Sequence, residues 1–342
     1  MKHKLKITLM LLAIFLISQL IGLAVTASYQ KHFLQKPEVK PPQQQPLPPA
    51  AQPQPQPIAN VSIASQLIPE KVEFKSRFDV LQILISFVVG LVIATIVFII
   101  LMRIGVVRFM RFWLFFVVVI GLFLSLSLLL LEGFGFNIAI GRVSFSLAEI
   151  LAAVFAIVLA YFKVYRGDVI VHNVTELLVY PGIVVLFLPL LNVIIAIVLL
   201  LLLSVYDFVA VFKTRHMQKM ARFMIKDVRA FSGVMLPYLS EKEKKRLMEL
   251  RARMKAARGK LKAAKIKVNL AVLGGGDIAF PMLFSSIVFL TYTIYHSLFI
   301  ILFSTLALAL LLLFGRKGEA YPALPPLAVG SLIGFLVSLL IF

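Results

Sequence analysis

Seven ionisable residues fall within long apolar runs of this 342-residue chain: Asp79, Glu149, His172, Glu176, Asp207, Asp277 and His296. A charge inside a membrane span is costly and marks a functional candidate. Asp79, Glu149, His172 and His296 lie within about a turn of the end of a run, where headgroups or water can reach them. They need no further role. Glu176, Asp207 and Asp277 remain. Two facing carboxylates in a low-dielectric site cannot both ionise readily, so they hold one proton between them and titrate as a unit. Such a pair can hydrolyse a peptide. One carboxylate takes a proton from water, the water attacks the carbonyl, and the other donates to the oxyanion and then helps protonate the leaving amine. The same residues could instead lock two helices together or relay protons or ions.

The elements that must position them are membrane helices. The chain is 61% hydrophobic with a mean hydropathy of +0.99. Nine apolar segments are predicted, near 7–27, 78–102, 110–131, 145–162, 169–188, 190–213, 268–290, 293–314 and 321–342. Each approaches the roughly 20 residues that cross a hydrocarbon core as a helix. The fifth and sixth are divided only around Leu188 and Pro189, and Pro181 interrupts the fifth. With the N-terminus inside, 28 of the 35 Lys and Arg fall in inside segments. The positive-inside rule therefore favours nine crossings, a cytoplasmic N-terminus and an external C-terminus. Asp207 then sits about 9 Å above the inner end of span six, and Asp277 about 14 Å into span seven, counted at 1.5 Å per residue. Both occupy the inner half of the membrane at similar depth, on spans that are antiparallel neighbours.

The expected organisation is a first helix over 1–27, an external linker over 28–77, helices two to six over 78–213, a basic cytoplasmic loop over 214–267 and helices seven to nine over 268–342. MKHKLK, an apolar run and AVTA also fit a signal peptide cut after Ala27, but the run is longer than usual for one, which favours a helix that stays. Residues 37–57 contain nine Pro and six Gln and read as an extended spacer. The stretch 213–267 carries 18 basic residues against four acidic ones. Ser240 and Glu243 fit a capping box there, and one charged helix is expected over 241–267, solvated or resting on anionic headgroups. No aromatic platform accompanies the charge, which argues against nucleic acid. The chain has no Cys, so disulfides, thiol catalysis and Cys-ligated zinc are excluded. No metal and no cofactor is expected.

Local sequence around the carboxylates narrows the choice. Asp277 follows three glycines in LGGGD, without the Lys and Ser or Thr of a phosphate loop. Small residues in a membrane helix let another backbone come close. YPALPP, residues 321–326, starts span nine from the same face with three prolines. Irregular backbone at membrane depth is tolerated beside a cavity or within protein. GSLIG, with Gly330 and Gly334, is a small-xxx-small pattern expected to pack tightly within the molecule.

Tyr206–Asp207, the Gly274–Gly275–Gly276–Asp277 stretch and Pro322–Ala323–Leu324 together resemble the YD, GxGD and PAL signatures of the presenilin and signal peptide peptidase family, in order and on spans six, seven and nine. The resemblance covers the membrane part of the chain and leaves the Pro/Gln spacer unexplained. It implies an all-α polytopic bundle of nine transmembrane helices and an intramembrane aspartyl protease with Asp207 and Asp277 as its catalytic pair. It further implies that Tyr206, Gly274 and Gly276 shape the site and that Pro322, Ala323 and Leu324 support substrate binding. Gly275 stands where the family commonly has Leu. The charge pattern matches the presenilin orientation, since signal peptide peptidases are inverted. The lack of Cys and the compact loops suggest a prokaryotic, archaeal-type homologue in the cell membrane. The expected partners are single-span proteins or signal peptides as substrates and the lipid bilayer, with no nucleic acid. The substrate must unwind locally, adding as a strand near Pro322 or the start of span seven. The competing readings are a secondary transporter or ion-leak channel using Glu176, Asp207 and Asp277, and a scaffold in which the aspartates only pair helices.

Overall fold

The computed structural model describes residues 5–34, 63–72, 77–131, 133, 137–140, 143–213, 220, 223, 224, 228, 232–238, 243, 269–315 and 321–342. Its helices are α1 (Leu5–Tyr29), α2 (Ile63–Leu67), α3 (Arg77–Ile104), α4 (Val107–Leu131), α5 (Leu147–Tyr161), α6 (Val169–Phe187), α7 (Val193–Phe212), α8 (Gly275–Thr291), α9 (Ile294–Phe314) and α10 (Leu324–Ile341). Two short hairpins accompany them: β1 (Asn137–Ile140) with β2 (Val143–Ser146), and β3 (Gly233–Tyr238) with β4 (Asn269–Gly274). Among the described residues, eight helices are long and apolar enough to cross a membrane, and α8 is a shorter apolar ninth. Lipid offers backbone groups no partners, so helices that satisfy their own N–H and C=O groups are the form these runs must take.

The ends of the helices follow local chemistry. Asp168 caps α6 by accepting from Ile170 N at 2.8 Å, and Asn192 caps α7 by accepting from Ile195 N at 2.9 Å. A short 3-10 turn, Leu188–Leu190, divides α6 from α7 where the sequence placed the break. Pro181 does not interrupt α6, which runs through it. A proline inside a helix costs one backbone hydrogen bond, and the buried packing around Pro181 holds the helix together.

The core sits where α1, α4, α6, α7, α8, α9 and α10 meet. The tightest crossings are made by glycines. A Cβ on Gly182 would fall on the Gly121 carbonyl, so α6 and α4 touch backbone to backbone there. Gly330 and Gly334 lie 2.7 Å, measured from where a Cβ would be, from the Phe303 and Phe299 carbonyls. GSLIG therefore packs α10 on α9 within the molecule, as expected. Buried polar side chains tie α1 to α8: Gln19 Nε2 donates to Ile278 O at 2.9 Å, and Thr26 Oγ1 donates to Ser286 Oγ at 2.9 Å.

Two expectations are corrected. Span seven does not start as a helix at 268: residues 269–274 are strand β4, and helix begins at Gly275. A short apolar run fits either state, and pairing with a partner strand decided it. That partner, β3, lies in the polar stretch 213–267, ahead of the charged helix expected over 241–267. Ser240 of the capping box and the expected charged helix apart from Glu243 lie outside the described residues, as does the Pro/Gln spacer. The helical rise used for the depth of Asp277 consequently fails, because Asp277 is the third residue of its helix.

Candidate active site

Asp207 projects from α7 five residues before its end and is 6% exposed. Its Oδ2 accepts the backbone N–H of Leu324 at 3.2 Å. Leu324 opens α10, and the first N–H groups of any helix lack an internal partner. Asp207 satisfies one of them. Pro325 and Pro326 follow in the first turn, where a missing N–H costs nothing. The proline cluster thus makes a helix start, preceded by irregular backbone at 321–323. Pro322 and Leu324 are buried and Ala323 is half-buried beside them.

Asp277 lies in the first turn of α8 and is half-buried. Its Oδ2 comes within 2.9 Å of where a Cβ on Gly274 would be. The carboxylate therefore folds back over the last residue of β4, and Gly274 leaves it room. Helix α8 packs against both α7 and α10. A small cavity is lined by Ala196, Leu199 and Leu200 of α7 and by Phe280, Leu283 and Phe284 of α8. Asp207 lies about 10 Å beyond Leu200, and Asp277 about 4 Å before Phe280, at the helical rise. Consecutive crossings run in opposite senses, so both carboxylates lie beyond the cavity toward the same end.

Gly274 pairs across the sheet with Gly233, and side chains fill the space at Gly275. A Cβ on Gly275 would meet the Tyr180 hydroxyl at 2.7 Å and Ser232 Oγ at 2.9 Å. Gly276 meets only the ring of Phe280 from its own helix, and it is exposed. The Tyr206 hydroxyl lies 3.1 Å from Thr95 Oγ1 on α3. The structure thus joins Asp207 to Leu324 and Asp277 to Gly274, while Tyr206 reaches another helix.

Two residues that the sequence did not single out, Tyr180 and Asn173, lie beside the glycines and strands that lead to Asp277. Tyr180, buried on α6, carries its hydroxyl beside Gly275. Asn173 and His172 of α6 bond the backbone of β3, which pairs with the strand leading to Asp277. Glu176 is not a free carboxylate. Lys163 Nζ donates to its Oε1 at 2.6 Å, with both side chains almost wholly buried. Glu149 Oε1 accepts from Ala64 N at 3.0 Å, which fixes α2 to α5. Only a contact map could have found these partners, because each lies more than ten residues away in sequence. Among the described residues, no group of three or more His, Asp or Glu could hold a metal ion.

A profile of the family described as signal-peptide peptidase, presenilin aspartyl protease matches residues 70–342. A presenilin family intramembrane aspartate protease, solved in space groups C222 and P2, has a similar fold. The TM-scores are 0.55 and 0.53 at 20% and 19% identity. The matches cover 98% and 97% of this chain and 99% and 96% of the solved chains. No curated protein matches the chain. A multi-pass helical bundle, the fold of a presenilin family protease and a family match over four-fifths of its length lead to one conclusion: the chain belongs to the signal-peptide peptidase and presenilin aspartyl protease family.

Proposed function

We propose that this protein hydrolyses peptide bonds within the membrane spans of other proteins, using Asp207 and Asp277 on one water. The observation that carries the reading is the hydrogen bond between Asp207 and Leu324, which ties two of the three motifs together in a buried place beside α8. The ionised member of the pair takes a proton from the water as oxygen attacks the scissile carbonyl. The protonated member donates to the developing oxyanion. The carbon–nitrogen bond then breaks, and the amine leaves with a proton from the pair. Water's atoms end in the new carboxyl and amino termini, so no other reactant is needed.

The proposed substrates are single-span proteins and signal peptides. A helical substrate hides its peptide bonds, so it must enter the site extended. Strand β4 offers a template. Met235 directs its N–H and C=O to Asn173, away from β4. Backbone direction alternates along a strand, so Val234, Leu236 and Tyr238 bond to Leu273, Ala271 and Asn269. Leu270 and Val272 then point their N–H and C=O groups away from β3. Among the described residues nothing outside β4 bonds them. A substrate strand added there would run toward Gly274 and Asp277. The charge pattern supports a cytoplasmic N-terminus and a site near the cytoplasmic face, and the absence of Cys supports a prokaryotic cell membrane.

A transporter or leak channel is less well supported, because Glu176 is held in a buried ion pair with Lys163 and no internal repeat links the two halves of the chain. Reconstitution into vesicles separates the two. Cleavage of a single-span substrate should occur without ion flux and stop with either Asp207→Asn or Asp277→Asn. Flux that those changes abolish, or cleavage that survives both, would overturn the proposal.

A further inference from the structure

The β3–β4 hairpin has two outer edges, and α6 closes one of them. The Asn173 amide meets Met235 in both directions: Nδ2 donates to Met235 O at 2.8 Å and Oδ1 accepts from Met235 N at 2.9 Å. This two-way bond is what a neighbouring strand would make. One residue earlier on α6, His172 Nε2 donates to Gly233 O at 2.8 Å. Two residues beyond Met235, Pro237 has no N–H to offer. The outer edge of β3 is therefore occupied from Gly233 to Met235, and its next donor position is blank. The outer edge of β4 differs. Leu270 and Val272 direct backbone groups outward, and each residue is 38% exposed.

The closed edge also fixes where the open one lies. Residues Gly233 and Gly274 are paired, so a hairpin held at Gly233 and Met235 is held at the residue on which the Asp277 carboxylate rests. The helix that holds it is itself anchored. Lys163 and Glu176 pair on the α6 side of the bundle, and the Tyr180 hydroxyl fills the space over Gly275. An added strand keeps its hydrogen-bond pattern when it slips by two residues, a step of about 6.6 Å. The position of the scissile bond therefore depends on how firmly β4 is held relative to Asp277.

We propose that Asn173 is a positioning residue for the substrate: by closing the β3 edge it confines strand addition to β4 and sets the register in which the substrate meets Asp277. This rests on the proteolytic reading above. Asn173 touches no reacting atom, so its loss should alter where and how well substrate docks more than the chemical step. Asn173→Leu removes both bonds. Asn173→Asp keeps the acceptor for Met235 N but faces Met235 O with a second acceptor. Met235→Pro removes the N–H of the bracket from the other partner and leaves the β4 ladder untouched, because that N–H points to α6.

The experiment uses the full chain in liposomes with one single-span substrate. Mass spectrometry of the products gives the cleavage positions, and initial rates give kcat and KM. The expected result for Asn173→Leu is a spread of products at neighbouring positions and a rise in KM of roughly tenfold, the scale of one net hydrogen bond. The fall in kcat should be smaller. Asn173→Asp should fall between Asn173→Leu and the parent, and Met235→Pro should give the same spread. If Asn173→Leu does not fold, Asn173→Asp and Met235→Pro carry the test. Parental product ratios and KM in the folded variants would overturn the positioning role, as would a fall in kcat with unchanged sites. Asp207→Asn and Asp277→Asn run alongside: if they still cleave, the proteolytic reading fails first, independently of Asn173.

Discussion

Replacing Gly275 with Ala gives a direct perturbation of the start of α8. The added Cβ would lie 2.7 Å from the Tyr180 hydroxyl, 2.9 Å from Tyr180 Cε1 and 2.9 Å from Ser232 Oγ. Ordinary contact begins at 3.4 Å, so tyrosine and helix must separate by about 0.7 Å. Ser232 is exposed and can turn aside. Tyr180 is 2% exposed within α6 and cannot. The strain falls on the first turn of α8, two residues before Asp277. Overpacking of this kind costs about 1–3 kcal/mol of stability. A displacement near 1 Å at a reacting group costs about 10²-fold in rate. The expected outcome is a loss in kcat/KM of about 10- to 100-fold, with a modest drop in Tm. Tyr180→Phe removes the shortest contact but keeps the ring carbon, so the double variant should recover part of the rate. The assay is cleavage in liposomes with all four members of the double-mutant cycle. Full activity in Gly275→Ala, or no coupling to Tyr180→Phe, would refute the reasoning.

Further outcomes follow from other parts of the bundle. Lys163→Met strips a buried carboxylate of its cation and should destabilise the protein by about 3–5 kcal/mol, whereas Lys163→Met combined with Glu176→Gln should recover most of that by thermal unfolding. Glu176→Gln alone should still cleave, because Glu176 is placed outside the proposed pair. Gly334→Val presses on the Phe299 carbonyl and should cost about 1–3 kcal/mol, read as a lower Tm with cleavage sites unchanged. The rate should be bell-shaped in pH. Activity falls at high pH as the shared proton leaves the pair, and at low pH as the second carboxylate gains one.

The carboxylates were legible in the sequence because a charge in an apolar run stands out whatever the fold. Asp207 and Asp277 needed only the run and its period. The helix starts at Gly275 and Leu324 were not legible: the apolar runs placed them at 268 and 321, and neither run showed that Leu324 N–H would be satisfied by Asp207. What stayed hidden depended on pairing at a distance. NLAVLG reads as the front of a membrane helix, and only GVMLPY, more than thirty residues earlier, makes it a strand. Asn173 and Tyr180 carry no signal of their own, since a polar or aromatic residue on a helix is ordinary until its partner is known. Glu176 was conspicuous for the right physical reason and the wrong purpose: its charge is matched by Lys163 across a helix break.

The central claim is that Asp207 and Asp277 act on one water. A structure of the protein with a substrate-like peptide bearing a hydroxyl in place of the scissile carbonyl tests it most directly. The account predicts that the hydroxyl sits between the two carboxylates, within about 3 Å of an oxygen of each, with the peptide extended along Leu270 and Val272. A hydroxyl that touches only one carboxylate, or a peptide bound as a helix at that position, would contradict it.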